Sequence, residues 1–215
     1  MGSLKRTSRK SWRFSTSTGN EEDGFLAEKK YEDRAIVLDF LPQGHPSDPR
    51  PLHLKEPIVQ VLGDTFFTLL EVIPLKGVVF NVLDEIFIGK GEREKIDRVK
   101  RRIAYEDLTS AAKTELPRAI SLLVDKHPER FVDFFNKAGP ITTRFHQLEL
   151  IPGVGKKIMW AILEEREKAP FSDFKDLEKR VRGFNDPKQA VVKRIEMELK
   201  GEDKYSVFVR APARR

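Results

Sequence analysis

The stretch Leu150–Lys157, with the sequence Leu-Ile-Pro-Gly-Val-Gly-Lys-Lys, constrains the fold of this chain more than any other. Pro152 cannot continue a helix interior, and Gly153 and Gly155 tolerate positive φ angles on either side of one apolar residue. The residues that follow have the composition of a buried helix. The stretch therefore predicts a tight turn that brings free backbone N–H groups, two ammonium groups and a helix N-terminus to one place, which suits a phosphate. The alternative is a purely structural helix–helix turn, where Pro and Gly are also common.

The charge balance permits a polyanionic partner without demanding one. The 215 residues include 40 Lys and Arg against 34 Asp and Glu, which gives a net charge of +6. Because both signs are abundant, any binding must come from basic patches. The absence of Cys excludes disulfides, zinc fingers and thiol catalysis, and it gives no support to an oxidising compartment, so we expect a cytoplasmic protein. No apolar run approaches the roughly 18 residues that span a membrane, so we expect no membrane partner.

Residues 1–30 are polar and basic and show no periodicity, which predicts a disordered basic tail. An organelle transit peptide is the alternative, because such peptides are also rich in Arg and Ser and poor in acidic residues.

Residues 31–106 carry short apolar runs that are separated by turn signals at close spacing, which predicts a small closed barrel of the OB type. Lys95–Ile103 fits both a helical stripe and a strand, and we favour a strand because the barrel still needs its last one. The other predicted strands are Ala35–Phe40, Ile58–Leu62, Phe66–Val72, Val78–Val82 and Glu85–Ile88.

From residue 107 the pattern becomes helical. Residues 107–140 are predicted to form connecting helices, of which the first, Leu108–Asp125, should be kinked or divided at Pro117. The second, Glu129–Lys137, is expected to end with Gly139 as its C′ cap.

Residues 141–201 predict a tandem helix-hairpin-helix whose second hairpin is degenerate. In the second copy Gly183 matches Gly153, Asn185 is expected in the left-handed region, and Asp186 is expected to cap the next helix. The predicted helices are Arg144–Leu150, Lys156–Lys168, Asp173–Val181 and the stretch from Pro187 to Leu199.

Residues 202–215 predict a strand at Tyr205–Val209 followed by a loose tail. The fold class predicted for the whole chain is α+β, with an N-terminal small OB-like β-barrel followed by an all-α helix-hairpin-helix domain.

Two resemblances agree with this reading. Leu148–Ile158 resembles the first hairpin of the tandem helix-hairpin-helix DNA-binding domains of competence and repair proteins, and Ala169–Leu177 resembles their linker into the second unit. From about Tyr31 to Val209 the chain resembles an archaeal family catalogued as a domain of unknown function, which joins an OB-like barrel to a helix-hairpin-helix body. The segments that carry this second resemblance are Val37–Pro42, Ile88–Arg93, Tyr105–Thr109 and Phe134–Arg144.

The first resemblance implies a phosphate-binding role for one of the two hairpins. In such hairpins the backbone N–H groups of the turn and the basic residues after it hold the phosphates of one strand. The second hairpin departs from the pattern, because Asp186 stands where an anion would approach, and we expect that hairpin to be mainly structural. The nucleic-acid-binding residues implied in the first hairpin are Gly153, Val154, Gly155, Lys156 and Lys157.

A basic run begins at Gly89–Gly91, whose pattern lacks the spacing of a P-loop. OB barrels bind single strands through basic rims combined with aromatic platforms, whereas the alternative here is an ordinary solvated turn. Phe66, Phe67, Phe80 and Phe87 are candidate platforms, although we expect each of them to serve in packing. The candidate residues of this basic rim are Lys90, Arg93, Lys95, Arg98, Lys100, Arg101 and Arg102.

The expected function is that of a non-enzymatic nucleic-acid-binding protein without sequence specificity, an accessory in RNA processing, translation or repair. RNA is favoured over DNA. The four His residues lack metal-ligand spacing and the carboxylates form no two-metal cluster, so no catalytic residue, metal or cofactor is predicted. Trp160 is expected in the core. A nuclease or glycosylase and a protein-interaction adaptor stay open as alternatives.

Overall fold

The structure of the protein is a computed structural model that describes residues 31–210. The described chain forms two compact units, one made of residues 31–109 together with 198–210, and the other of residues 110–197. The predicted disordered tail over residues 1–30 and the loose end at 211–215 lie outside the described residues.

The first unit contains a curled, five-stranded antiparallel half-barrel sheet in the order β4-β1-β2-β3-β5. Strands β2 and β3 are buried on both faces, and their sequences are apolar rather than alternating except at Gln60 and Glu71, which are buried and hydrogen-bonded. Register shifts in the pairings of β1 with β2 and of β3 with β5 help the sheet to curl. The strands are β1 Arg34–Leu41, β2 Ile58–Gly63, β3 Leu69–Pro74, β4 Glu85–Phe87 and β5 Ile96–Arg102.

The third strand begins at Leu69 rather than at Phe66, because the preceding residues wrap around a buried carboxylate. The backbone N–H groups of Thr65, Phe66 and Thr68 donate to the Glu32 carboxylate at 2.9–3.2 Å. Those donors are therefore unavailable to a strand ladder, and the prediction of strand at Phe66 is wrong.

The predicted strand at Val78–Val82 is also wrong, because this segment is irregular. Phe80 is buried within the segment, and Leu83 reverses the chain direction with a φ of 70°. The strand predicted within Lys95–Ile103 is confirmed as β5, which pairs with β3.

The second unit is mainly helical. Pro117 lies inside α1 without dividing it, and Pro128 opens α2 as its first residue. The expected C′ cap at Gly139 does not form, because Ala138 leaves the helical region with φ −52° and ψ 137° and Gly139 does not adopt the positive φ of such a cap. The helices are α1 Ser110–Lys126, α2 Pro128–Lys137, α3 Lys156–Lys168, α4 Phe174–Arg180 and α5 Pro187–Lys200, whose last residues belong to the first unit.

The predicted helix Arg144–Leu150 is replaced by a short hairpin and a 3-10 turn. Strands β6 Pro140–Thr142 and β7 Phe145–His146 pair with each other, and the 3-10 turn spans Gln147–Leu150. The Gln147 side-chain oxygen accepts a hydrogen bond from the Gly139 N–H, and the backbone N–H of Gln147 donates to the Gly139 carbonyl. These two bonds close the hairpin and compete with helix formation.

The predicted strand at Tyr205–Val209 does not form, because a side chain takes the place of a strand partner. The Glu198 carboxylate accepts hydrogen bonds from the N–H groups of Val207, Phe208 and Val209.

With one five-stranded sheet and five helices, the described chain is α+β as predicted. No helix among residues 31–210 has both the length and the apolar character needed to cross a lipid bilayer.

Candidate nucleic-acid interface

The turn that precedes α3 has the tight geometry expected from its sequence. In this first turn, defined as Ile151–Gly155, the Val154 N–H donates to the Ile151 carbonyl at 3.0 Å and Gly153 adopts a φ of +87°. Val154 is buried, whereas Gly153 and Gly155 are exposed. The buried valine anchors the turn, and the backbone on either side of it faces solvent.

The N-terminus of α3 is open. Gly155 is its N-cap residue, in an extended conformation with φ −87° and ψ 179°, and it has no side chain with which to accept a hydrogen bond. The first N–H groups of an α-helix have no intrahelical acceptor, and together they carry about half a positive charge. A β-carbon at Gly155 would meet no atom within 4 Å, so space does not explain the glycine. The helix end is thus accessible to an anion.

The second turn, defined as Val181–Asp186, repeats the first and then departs from it. Gly183 has a φ of +86°, and the Phe184 N–H donates to the Val181 carbonyl at 3.2 Å. The residue in the left-handed region is Asp186, with φ 47°, and not Asn185 as predicted.

The helix end after the second turn is closed by its own residues. The Asp186 carboxylate accepts from the Gln189 N–H at 2.9 Å, which confirms the predicted cap. The Asp186 N–H donates to the Glu178 carboxylate at 3.1 Å, and Pro187 has no N–H to offer. The second turn therefore presents carboxylates where the first presents open N–H groups.

The two lysines after the first turn have different environments. The Lys156 ammonium donates to the Glu149 carboxylate at 2.8 Å and to the Arg144 carbonyl at 2.7 Å. Burial would raise the pKa of Glu149, but the bond from Lys156 and the N–H of His146 outweigh it and lower that pKa. Lys157 is exposed and makes no hydrogen bond or ion pair with another described residue. Lys156 thus fastens the turn to the preceding segment, and Lys157 is available to a ligand.

Sequence reasoning missed a third cation beside this turn. Arg144 is exposed in the bend between β6 and β7, and its carbonyl contacts the Lys156 ammonium. Its guanidinium makes no hydrogen bond or ion pair within residues 31–210. A prediction of helix at Arg144 hid this placement, which depends on the β6–β7 hairpin.

His146 joins the hairpin to the 3-10 turn as a neutral cap. Its ring Nδ1 accepts a hydrogen bond from the Leu148 backbone N–H at 3.1 Å, and the backbone N–H of His146 donates to the Glu149 carboxylate. Burial, followed by the charge of Arg166, lowers the pKa of His146, so the unprotonated acceptor form is favoured.

Trp160 is not in the core as predicted. The buried residues of α3 are Met159 and Ile162, and Trp160 is 65% exposed. One residue corresponds to about 100° of rotation around a helix, so burial of Met159 turns Trp160 toward solvent.

Four arginines of the basic rim are engaged in internal contacts. Arg101 forms a bidentate pair with the buried Glu71 carboxylate at 2.8 and 3.0 Å. Arg98 pairs with Glu56 and Asp97. The other two, Arg93 and Arg102, donate to backbone carbonyls. These side chains stabilise the first unit and offer less charge to a ligand than the sequence suggests.

The lysines of the rim remain available. Lys95 and Lys100 make no side-chain hydrogen bond or ion pair with another residue of the described part. The Lys90 ammonium lies 5.6 Å from the centre of the Tyr31 ring. Of the four candidate platforms, Phe67 and Phe80 are buried, Phe66 lies under the Arg210 guanidinium, and Phe87 is 39% exposed.

No metal-binding group of three or more His, Asp or Glu residues occurs within residues 31–210.

Comparison with known proteins adds a family and two relatives. A family model described as "Protein of unknown function (DUF655)" matches residues 31–210. The chain is 47% identical over 198 residues to the uncharacterized protein MJ0038 of Methanocaldococcus jannaschii, covering 89% of this chain and 88% of that protein. It is 53% identical to the crystal structure of Af1531 from Archaeoglobus fulgidus, with a TM-score of 0.77, covering 83% of this chain and 100% of that one.

Proposed function

We propose that this chain, which belongs to the DUF655 family of proteins of unknown function, is a non-enzymatic nucleic-acid-binding protein that holds phosphates without reading the base sequence. One observation carries the proposal: α3 begins at an uncapped Gly155 with an exposed Lys157 beside it, whereas the equivalent helix end after the second turn is closed by Asp186. Backbone N–H groups together with a cation form a site for phosphate.

The finer fold assignments belong to the same proposal. Two turns with closely matching glycine φ angles, each followed by a helix, support a tandem helix-hairpin-helix in residues 141–201. The placement of β4 beside β1 and of β5 beside β3 supports a partly open OB-like barrel. On this assignment the rim lysines form a second phosphate-binding surface.

RNA is the proposed ligand and DNA the alternative, in keeping with an accessory role in RNA processing, translation or repair. The proposed site of action is the cytoplasm. Binding through phosphates should weaken steeply with salt, because each neutralised phosphate releases counterions.

Charge reversal at Lys157 tests the first turn. Lys157→Glu is expected to lower affinity for RNA and DNA about tenfold, and to reduce the slope of log affinity against log salt by about 1. Fluorescence anisotropy at about 50 and about 200 mM salt measures both quantities. Arg182→Glu is the matched control, since it makes the same charge change on an exposed residue of the second turn. Equal losses in the two variants would contradict the assignment of the first turn.

Neutralising two rim lysines tests the second surface. Lys95→Gln together with Lys100→Gln is expected to reduce the salt slope for single-stranded RNA by about 1.4, which corresponds to two lost phosphate contacts. Arg98→Gln is the control, because Glu56 and Asp97 already neutralise that guanidinium. The same anisotropy titrations measure the effect, and an unchanged slope in the double variant would remove the rim from the proposal.

A further inference from the structure

Trp160 exposes more of its indole than a packing role would explain. At 65% exposure it leaves most of a large apolar ring in water, in a helix that buries Met159 and Ile162 beside it. Burial of such a ring is favourable by about 25 cal/mol per Å² of apolar surface. Tryptophan is also among the residues enriched where a protein surface binds a partner.

The ring lies on the face of α3 that leads to the first turn. Trp160 is three residues after Lys157 and four after Lys156, and residues at these spacings share a helix face. Side chains in helices lean toward the N-terminus, so the indole covers the turn of helix next to the open end. The axial rise from Lys157 to Trp160 is about 4.5 Å. An aromatic face, a free ammonium and uncapped N–H groups therefore lie within the span of one nucleotide.

The charge of this face selects the class of ligand. Lys157 is exposed without a described partner and lies between Trp160 and the first turn, whereas the carboxylate of Glu164 lies one helical turn beyond Trp160, near Lys168, which also pairs with Glu165. The side of Trp160 toward the first turn is therefore cationic, which favours a ligand that carries a negative charge next to a flat ring. Phosphate and nucleobase in one nucleotide provide both features.

We propose that Trp160 stacks on an unpaired nucleobase whose phosphate is held at the first turn. The proposal rests on the proposed function and deepens it, because it makes the ligand single-stranded or frayed nucleic acid. In a duplex each base is covered by its neighbours and offers no free face to the indole, whereas loops, bulges and ends do.

Tryptophan fluorescence of the full chain tests the proposal. The chain contains two tryptophans, so Trp12→Phe leaves Trp160 as the sole reporter. We expect a single-stranded RNA or DNA oligonucleotide to quench Trp160 on binding. An abasic strand of equal length, which keeps the phosphates and lacks the bases, should bind without quenching. A blunt duplex of the same length should quench much less than the single strand.

The matched variants separate stacking from a general apolar effect. Trp160→Leu is expected to lower affinity for the single strand by roughly 5- to 150-fold, the range found for the loss of one stacked base, and to leave affinity for the abasic strand unchanged. Trp160→Phe should recover part of the loss. Leu122→Ala removes another exposed apolar side chain of the same unit and should have no effect. Thermal unfolding by circular dichroism verifies that each variant is folded.

The outcomes distinguish this proposal from the function on which it rests. If the wild type binds none of the probes, both fail. If binding depends on Lys157 but Trp160→Leu binds as tightly as the wild type and no quenching occurs, the stacking role alone is overturned. If Trp160→Leu changes only the oligomeric state of the protein in solution and leaves its nucleic-acid affinity unchanged, the ring serves self-association and the stacking role is again overturned.

Discussion

Gly155→Asp is expected to weaken nucleic-acid binding about 100-fold and at the same time to raise the free energy of unfolding by about 0.5 kcal/mol. Asp is a preferred N-cap residue, and the extended backbone at Gly155 is the conformation that an N-cap adopts. The new β-carbon would meet no atom within 4 Å. Its carboxylate would accept hydrogen bonds from the first N–H groups of α3, and its negative charge would interact favourably with the positive end of the helix dipole. Both effects stabilise the fold.

The same change should remove the anion site. The carboxylate would occupy the donors that a phosphate needs, and its charge would repel the ligand. Two lost charge-assisted hydrogen bonds of about 1.5 kcal/mol each correspond to about 100-fold in affinity. The chain already contains this arrangement at Asp186, whose carboxylate caps α5. The variant would thus give the first turn the closed helix end of the second.

Gly155→Asn is the control for charge in this experiment. Asn caps a helix about as well as Asp but is neutral, so it should stabilise α3 similarly and lose less affinity. Chemical denaturation measures the stability of each variant, and anisotropy measures its affinity. If Gly155→Asp bound RNA and DNA like the wild type, the N-terminus of α3 would not be the phosphate site.

The first turn could be predicted from sequence because its causes are local. Pro152, Gly153 and the buried Val154 determine the turn within a few residues, and the apolar strands determined most of the sheet in the same way. The two lysines show where such reasoning ends. Lys156 and Lys157 are adjacent and identical in sequence, yet only the first meets Glu149 and the Arg144 carbonyl. That distinction requires the β6–β7 hairpin, which no local pattern indicated.

The internal contacts of the rim arginines could not be predicted for a related reason. A count of charges along Lys90–Arg102 treats each cation as available, whereas Arg101 is held by Glu71, thirty residues earlier. A carboxylate that is 1% exposed needs a cation, and tertiary structure decides which one. The prediction that Trp160 lies in the core was wrong because apolar composition alone does not show which face of a short helix is buried. Its exposure separates Trp160 from packing residues and makes it a candidate for binding.

Glu198→Gln is expected to lower the free energy of unfolding by about 3 kcal/mol, because one buried carboxylate holds the C-terminal segment in place. The Glu198 oxygens accept from Val207, Phe208 and Val209 at 2.8–3.0 Å, and the side chain is 3% exposed. An amide has one acceptor oxygen, and its NH₂ group would face backbone donors. The segment should loosen, so trypsin should cut after Lys204 faster than in the wild type.

Glu202→Gln is the control, because it makes the same chemical change on an exposed residue. It should alter neither the free energy of unfolding nor the rate of cleavage. If both variants matched the wild type in denaturation and in proteolysis, the segment would be held by its buried side chains, Phe208 and Val209, instead of by Glu198.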